Sequence, residues 1–64
     1  MANPKQPLVP SRIALSLQYW RAEVLRAEHD RARATTTEDY EKAEYELSVA
    51  RATVQRLEME AWNI

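Results

Sequence analysis

The chain of 64 residues carries nine Lys or Arg and ten Asp or Glu, giving a net charge of −1, and it contains neither Cys nor Gly. Without Cys there are no disulfides and no thiolate metal ligands, and the single histidine, His29, makes a structural zinc site unexpected. Without Gly, turns that need positive φ are disfavoured, so an all-helical fold is expected instead of a β architecture.

Residues 1–10 differ from the rest of the chain because they contain all three prolines, Pro4, Pro7 and Pro10. Proline fixes φ and removes a backbone donor, so this proline-rich N-terminal arm is predicted to be extended and polyproline-like. Two interpretations stay open. The arm is a disordered leader, or Leu8 and Val9 fold back onto the helices or onto a neighbouring chain.

An apolar stripe at helical spacing begins after Ser11, whose hydroxyl suits an N-cap. The positions of this stripe alternate four and three residues apart, and only Arg31 interrupts it. They are Ile13, Leu17, Trp20, Val24, Ala27, Arg31 and Ala34. This spacing predicts helix 1 over about residues 12–34.

Residues 35–37 are all threonine and are predicted to form the turn. Thr35 and Glu38 match a capping box, in which each side chain bonds a backbone amide at the start of a helix. One long kinked helix is the alternative. The tight turn is favoured because extending the first stripe puts its next core position at Glu38, whereas the second stripe begins at Tyr40.

A second stripe predicts helix 2 over about residues 38–64. Its positions are Tyr40, Ala43, Leu47, Ala50, Val54, Leu57, Ala61 and Ile64. Two helices joined by a short loop run antiparallel, so the predicted fold is an all-α, coiled-coil-like antiparallel hairpin. The register pairs Trp20, as a buried core residue, with Ala50, and it places Arg31 across the ring of Tyr40.

A lone hairpin of this size buries too little apolar surface to offset the entropy of ordering the chain. Since disulfides are absent, self-association is the expected source of further stability. We therefore predict a homodimer, in which two hairpins pair into a four-helix bundle.

Several large apolar residues lie outside the two stripes and are predicted to form an outer strip that binds a protein partner. They are Leu15, Tyr19, Leu25, Tyr45, Val49, Met59 and Trp62. The alternatives are that this strip is the dimer contact itself, or that these are the scattered apolar residues of any protein surface.

Arg12, Arg26 and Arg33 share one side of helix 1 with Tyr19 and raise the alternative of a nucleic-acid interface. A simpler interpretation is a solvated face on which the arginines pair with acids such as Glu23 and Asp30.

Residues 1–34 carry a net charge of +3 and residues 35–64 a net charge of −4, and this asymmetry favours folding one half onto the other.

No catalytic, metal or cofactor site is expected, because the chain has no Cys, no Gly-rich loop and no serine in a nucleophile motif. The sequence predicts a non-enzymatic protein that binds another protein, in the context of a phage or mobile-element accessory or regulatory factor. A nucleic-acid-binding bundle and a structural subunit of a larger assembly are the alternatives. With no signal peptide and no apolar run of membrane-spanning length, a cytoplasmic location is expected, in the host cytoplasm if the protein is viral.

Overall fold

The computed structural model describes residues 11–62 and gives two α-helices, α1 over Ser11–Arg33 and α2 over Thr37–Trp62, with no strand in that range. The arm of residues 1–10 and the predicted core position Ile64 lie outside the described residues. So does the side chain of Ser11, on which the predicted N-cap depends.

The two helices pack against each other over an extended interface. The link between them is only residues 34–36, which is short enough to force the helices to run antiparallel. The predicted all-helical hairpin is confirmed, and the alternative of one kinked helix is wrong. Among the described residues, no residue has positive φ, so this turn is built without the left-handed conformation that favours Gly.

Thr36 caps α2. Its Oγ1 accepts a hydrogen bond from the backbone N–H of Asp39 at 3.1 Å, and its carbonyl accepts the first helical bond, from Tyr40 N at 3.0 Å. The cap therefore lies one residue beyond the predicted Thr35. α1 ends in a tightened turn, in which Ala34 N donates to Arg31 O at 3.3 Å, and this leaves Thr35 within the connection.

The core is the seam between the helices, and every buried residue in it belongs to one of the two predicted stripes. The buried residues are Leu17, Ala27, Ala43, Leu47, Ala50 and Leu57. Leu47, at 1% exposure, is the largest side chain that is fully enclosed. Ile13, Val24 and Val54 are half-buried. In a two-helix hairpin each helix has a neighbour on one side only, so residues at the edges of the seam stay partly exposed to solvent.

Three seam residues differ from their predicted environments. Tyr40 is 48% exposed, since it lies in the first turn of α2, beside the point where the facing helix ends. The guanidinium of Arg31 binds the carboxylate of Glu44 and does not cross the Tyr40 ring. Trp20 is half-buried, with its ring edge-on to Tyr19 at a centroid distance of 5.3 Å.

Candidate protein-binding surfaces

All seven residues of the predicted outer strip are exposed, from 41% for Val49 to 79% for Trp62. Their side chains leave a large amount of apolar surface in water, whereas the described part of the core contains three large buried side chains, Leu17, Leu47 and Leu57. Exposed apolar residues mark a binding surface where they form a contiguous patch, so their arrangement on the hairpin decides what they indicate.

The structure does not bring these seven residues into one strip. Tyr45, Ala52 and Met59 follow one another at intervals of seven residues along α2. They lie about 200° around this helix from Ala43 and Ala50, which face the seam. They form a single line on the outer side of α2, away from α1.

The remaining members of the predicted strip lie elsewhere on the hairpin. Leu15 faces away from the seam on the outer side of α1, at the opposite edge of the molecule. Tyr19 and Val49 each lie about 100° from the seam, on one broad side, whereas Leu25 and Trp62 lie at a similar angle toward the other. The predicted strip is therefore divided among four sides of the hairpin.

Leu25 helps to form an apolar groove of about 350 Å³ between the helices. Its lining is Arg21, Val24, Leu25, Arg51 and Val54, and nearly all of the lining surface is apolar because the arginines contribute their aliphatic stems. The charged ends of the two arginines turn to carboxylates on the facing helix, with Arg21 to Glu58 at 3.6 Å and Arg51 to Glu28 at 3.4 Å.

A third cross-helix ion pair lies on the same broad side, where Arg31 Nη1 approaches Glu44 Oε1 at 2.7 Å. The hydrogen bond from Arg31 is the main reason that the pKa of Glu44 lies below its ordinary value. We call the side that carries the pairs Arg21–Glu58, Glu28–Arg51 and Arg31–Glu44 the ion-pair face.

The opposite broad side contains a polar groove of about 380 Å³ near the turn. Its lining residues are Arg26, His29, Asp30, Arg33, Ala34, Asp39, Lys42, Ala43 and Glu46. Three basic and three acidic side chains alternate in sign there, so the groove has no net charge that would select an anion or a cation.

The central arginine of the candidate nucleic-acid stripe is already paired. Arg26 bonds Glu23 and lies 3.5 Å from Asp30, and its hydrogen bond lowers the pKa of Glu23. Arg12 and Arg33, at the two ends of α1, are exposed. A phosphate would have to compete with two carboxylates for the middle of this stripe.

No protein-family model, no curated protein and no solved structure matches this chain.

Within residues 11–62, no group of three or more His, Asp or Glu side chains could hold a metal ion. In the same range, no buried side-chain N or O lacks a hydrogen-bond partner. Neither described helix combines the length and apolarity needed to cross a membrane.

The apolar groove and the ion pairs that border it were not predicted from the sequence, although the chain carries a signal for the ion pairs. Glu44, Arg51 and Glu58 recur every seven residues on α2, and Arg21 and Glu28 do so on α1. Opposite charges at positions that flank a heptad seam are typical of cross-helix pairing.

Proposed function

We propose that this protein is a non-enzymatic helical hairpin that self-associates and acts by binding another protein. The observation that carries the proposal is the imbalance, among residues 12–62, between eight exposed large apolar side chains and three large buried ones. Burial of apolar surface is the main favourable term in protein association, and this hairpin keeps much of its own apolar surface available for it.

Self-association is supported by the small amount of apolar surface that the core of one hairpin buries. Three of the six buried residues in the described part of the chain are alanines, which bury little area each. A second hairpin would cover apolar side chains that a single hairpin leaves half-exposed, including Val24 and Val54.

The outer line of α2 is the surface that we assign to a different protein. Tyr45 is 72% exposed and Met59 60%, and both residue types are enriched at interfaces because they combine a large contact area with adaptability. This line faces away from both broad sides of the hairpin, so two paired hairpins would leave it open.

Sedimentation equilibrium tests self-association. We expect a species of twice the chain mass of 7.5 kDa at tens of micromolar. A single species at the chain mass with cooperative unfolding would contradict self-association.

Capture experiments with the double variant Tyr45→Glu with Met59→Lys test the partner surface. We expect helicity and melting to change little, since exposed positions usually shift stability by under about 0.5 kcal/mol, while a protein captured by the parent is lost. The matched control is Leu15→Glu with Ala22→Lys, which introduces the same charges seven residues apart on the outer side of α1. Equal loss in the control would contradict the assignment to α2.

Identifying the captured protein also tests the proposed context of a phage or mobile-element accessory factor. Binding to RNA or DNA that weakens steeply with salt and is lost on replacing Arg12 and Arg33 would favour the nucleic-acid alternative. Ordered polymerisation would favour a structural subunit.

A further inference from the structure

We propose that the apolar groove of the ion-pair face is occupied by a second copy of this chain, stacked antiparallel so that the two Leu25 side chains meet. This inference rests on the proposed self-association and specifies its surface and its orientation. In this arrangement, α1 of one copy lies on α1 of the other, and the turn of each hairpin lies over the open end of its partner.

The ion-pair face has the layout of a protein interface. Leu25 is 67% exposed and lies beside the half-buried Val24 and Val54. The pairs Arg21–Glu58 and Glu28–Arg51 border this apolar centre. An apolar centre with a polar rim is typical of interfaces, and ion pairs that are already satisfied within each hairpin need no partner from the other copy.

A stable dimer must bury enough surface, and these hairpins can do so only if they overlap along most of their length. The 26-residue α2 is about 39 Å long, and two helices side by side are about 20 Å wide, so one broad face offers roughly 800 Å². This is about the area that each partner contributes to a standard interface. Leu25 lies three residues from the middle of α1, so a two-fold axis beside it displaces the two copies by about six residues, or about 9 Å, along the helices. About three quarters of each face, roughly 600 Å² per copy, stays in contact, which is at the lower end of the area of standard interfaces.

Charge selects the antiparallel orientation over the parallel one. The half of the hairpin nearest the turn, residues 23–49, has eight acidic and four basic residues and a net charge of −4. The open half, residues 11–22 and 50–62, has four basic and two acidic residues and a net charge of +2. Antiparallel stacking places −4 against +2 at both ends, whereas parallel stacking places like charges together.

The opposite broad side is a poorer contact for a second copy. Its groove contains the charged side chains of Arg26, Asp30, Arg33, Asp39, Lys42 and Glu46. Burying these charges would require desolvating all of them, with each needing a well-placed partner. The ion-pair face also carries six charged side chains, but these are joined in three cross-helix pairs, and two of the pairs border its apolar groove.

The surface is tested by sedimentation of Leu25→Glu against Leu15→Glu, since the two leucines are exposed to nearly the same extent, 67% and 65%. We expect Leu25→Glu to weaken dimerisation at least about tenfold while Leu15→Glu dimerises like the parent. Circular dichroism checks that both stay helical. A parent-like dimer of Leu25→Glu would overturn the assignment to this groove.

The orientation is tested independently by disulfide cross-linking, for which the natural absence of Cys is convenient. An axis beside Leu25 brings Ala14 of one copy near Thr35 of the other. A mixture of Ala14→Cys and Thr35→Cys chains is therefore expected to form the mixed cross-link, with little linkage of Thr35→Cys to itself. Dominant linkage between two Thr35→Cys chains would overturn the antiparallel orientation but retain self-association. A protein that stays monomeric at tens of micromolar would overturn both proposals.

Discussion

Arg31 occupies a core position of the α1 heptad stripe, yet its guanidinium lies 2.7 Å from the carboxylate of Glu44, at the edge of the seam. The side chain of Arg31 is 33% exposed and that of Glu44 is 44% exposed. The length of the Arg31 side chain allows its apolar stem to stay beside the seam while its charge reaches a partner in partial contact with water. A charged residue in the stripe is thus accommodated without burying an unpaired ion.

The Arg31–Glu44 pair predicts a dependence of stability on acid. The pKa of Glu44 is lowered from 4.5 in the folded state, chiefly by the hydrogen bond from Arg31. A lowered pKa means that the carboxylate stabilises the fold above pH 4.5 and that this contribution is lost as pH falls through the folded-state pKa.

Glu44→Gln removes that titration, so its free energy of unfolding should fall less than the parent's as pH decreases below 4.5. Urea unfolding at a series of pH values measures this difference. Glu41→Gln is the control, because Glu41 makes no ion pair in the described part of the chain. Parallel curves for the parent and Glu44→Gln would contradict the prediction.

Leu47 is expected to be the most sensitive position of the core. It is 1% exposed, so Leu47→Ala should lower the free energy of unfolding by about 2–5 kcal/mol through lost transfer energy and the cavity left behind. Leu15→Ala, at a 65% exposed position, should cost under about 0.5 kcal/mol. Chemical denaturation at one fixed protein concentration makes the comparison valid for a self-associating chain. Equal losses for the two variants would mean that the seam is placed wrongly.

Ala50 is predicted to tolerate no enlargement, because it is 2% exposed where the helices are in contact. Ala50→Leu should cost about 1–3 kcal/mol through overpacking. Ala52→Leu makes the same chemical change on the exposed side of the same helix and should leave the melting temperature nearly unchanged. Thermal melts followed by circular dichroism would refute the prediction if the two variants melted together.

The cap of α2 distinguishes two neighbouring threonines. Thr36→Ala removes the acceptor of the Asp39 amide and should cost about 1 kcal/mol. Thr35→Ala should cost much less, since its hydroxyl makes no such bond to the start of the helix in this structure. Denaturant titration of both variants provides the measurement, and a larger loss for Thr35→Ala would place the cap where the capping-box pattern predicted it.

Trp20 shows that a periodic pattern predicts which side of a helix a residue lies on but not how deeply the residue is buried. Its spacing correctly predicts that it belongs to the stripe, but it is half-buried and stacks edge-on against Tyr19. An indole is too large to be fully enclosed at the contact between only two helices, so part of the ring stays exposed to solvent. Replacing Trp20 should therefore cost less than the roughly 3–5 kcal/mol expected for a fully buried aromatic residue.

The sequence by itself determined the helical hairpin and most of its seam. Three- and four-residue spacing fixes an angle around one helix, and that angle alone predicts burial of Ala27, Ala43, Leu47 and Ala50. Only the tertiary structure decided which threonine caps α2, where the charge of Arg31 lies, and that Leu25 borders a groove while Tyr45 and Met59 form a separate line. These features depend on where the facing helix ends and on how far a side chain reaches across the seam, and periodicity along one helix contains neither quantity.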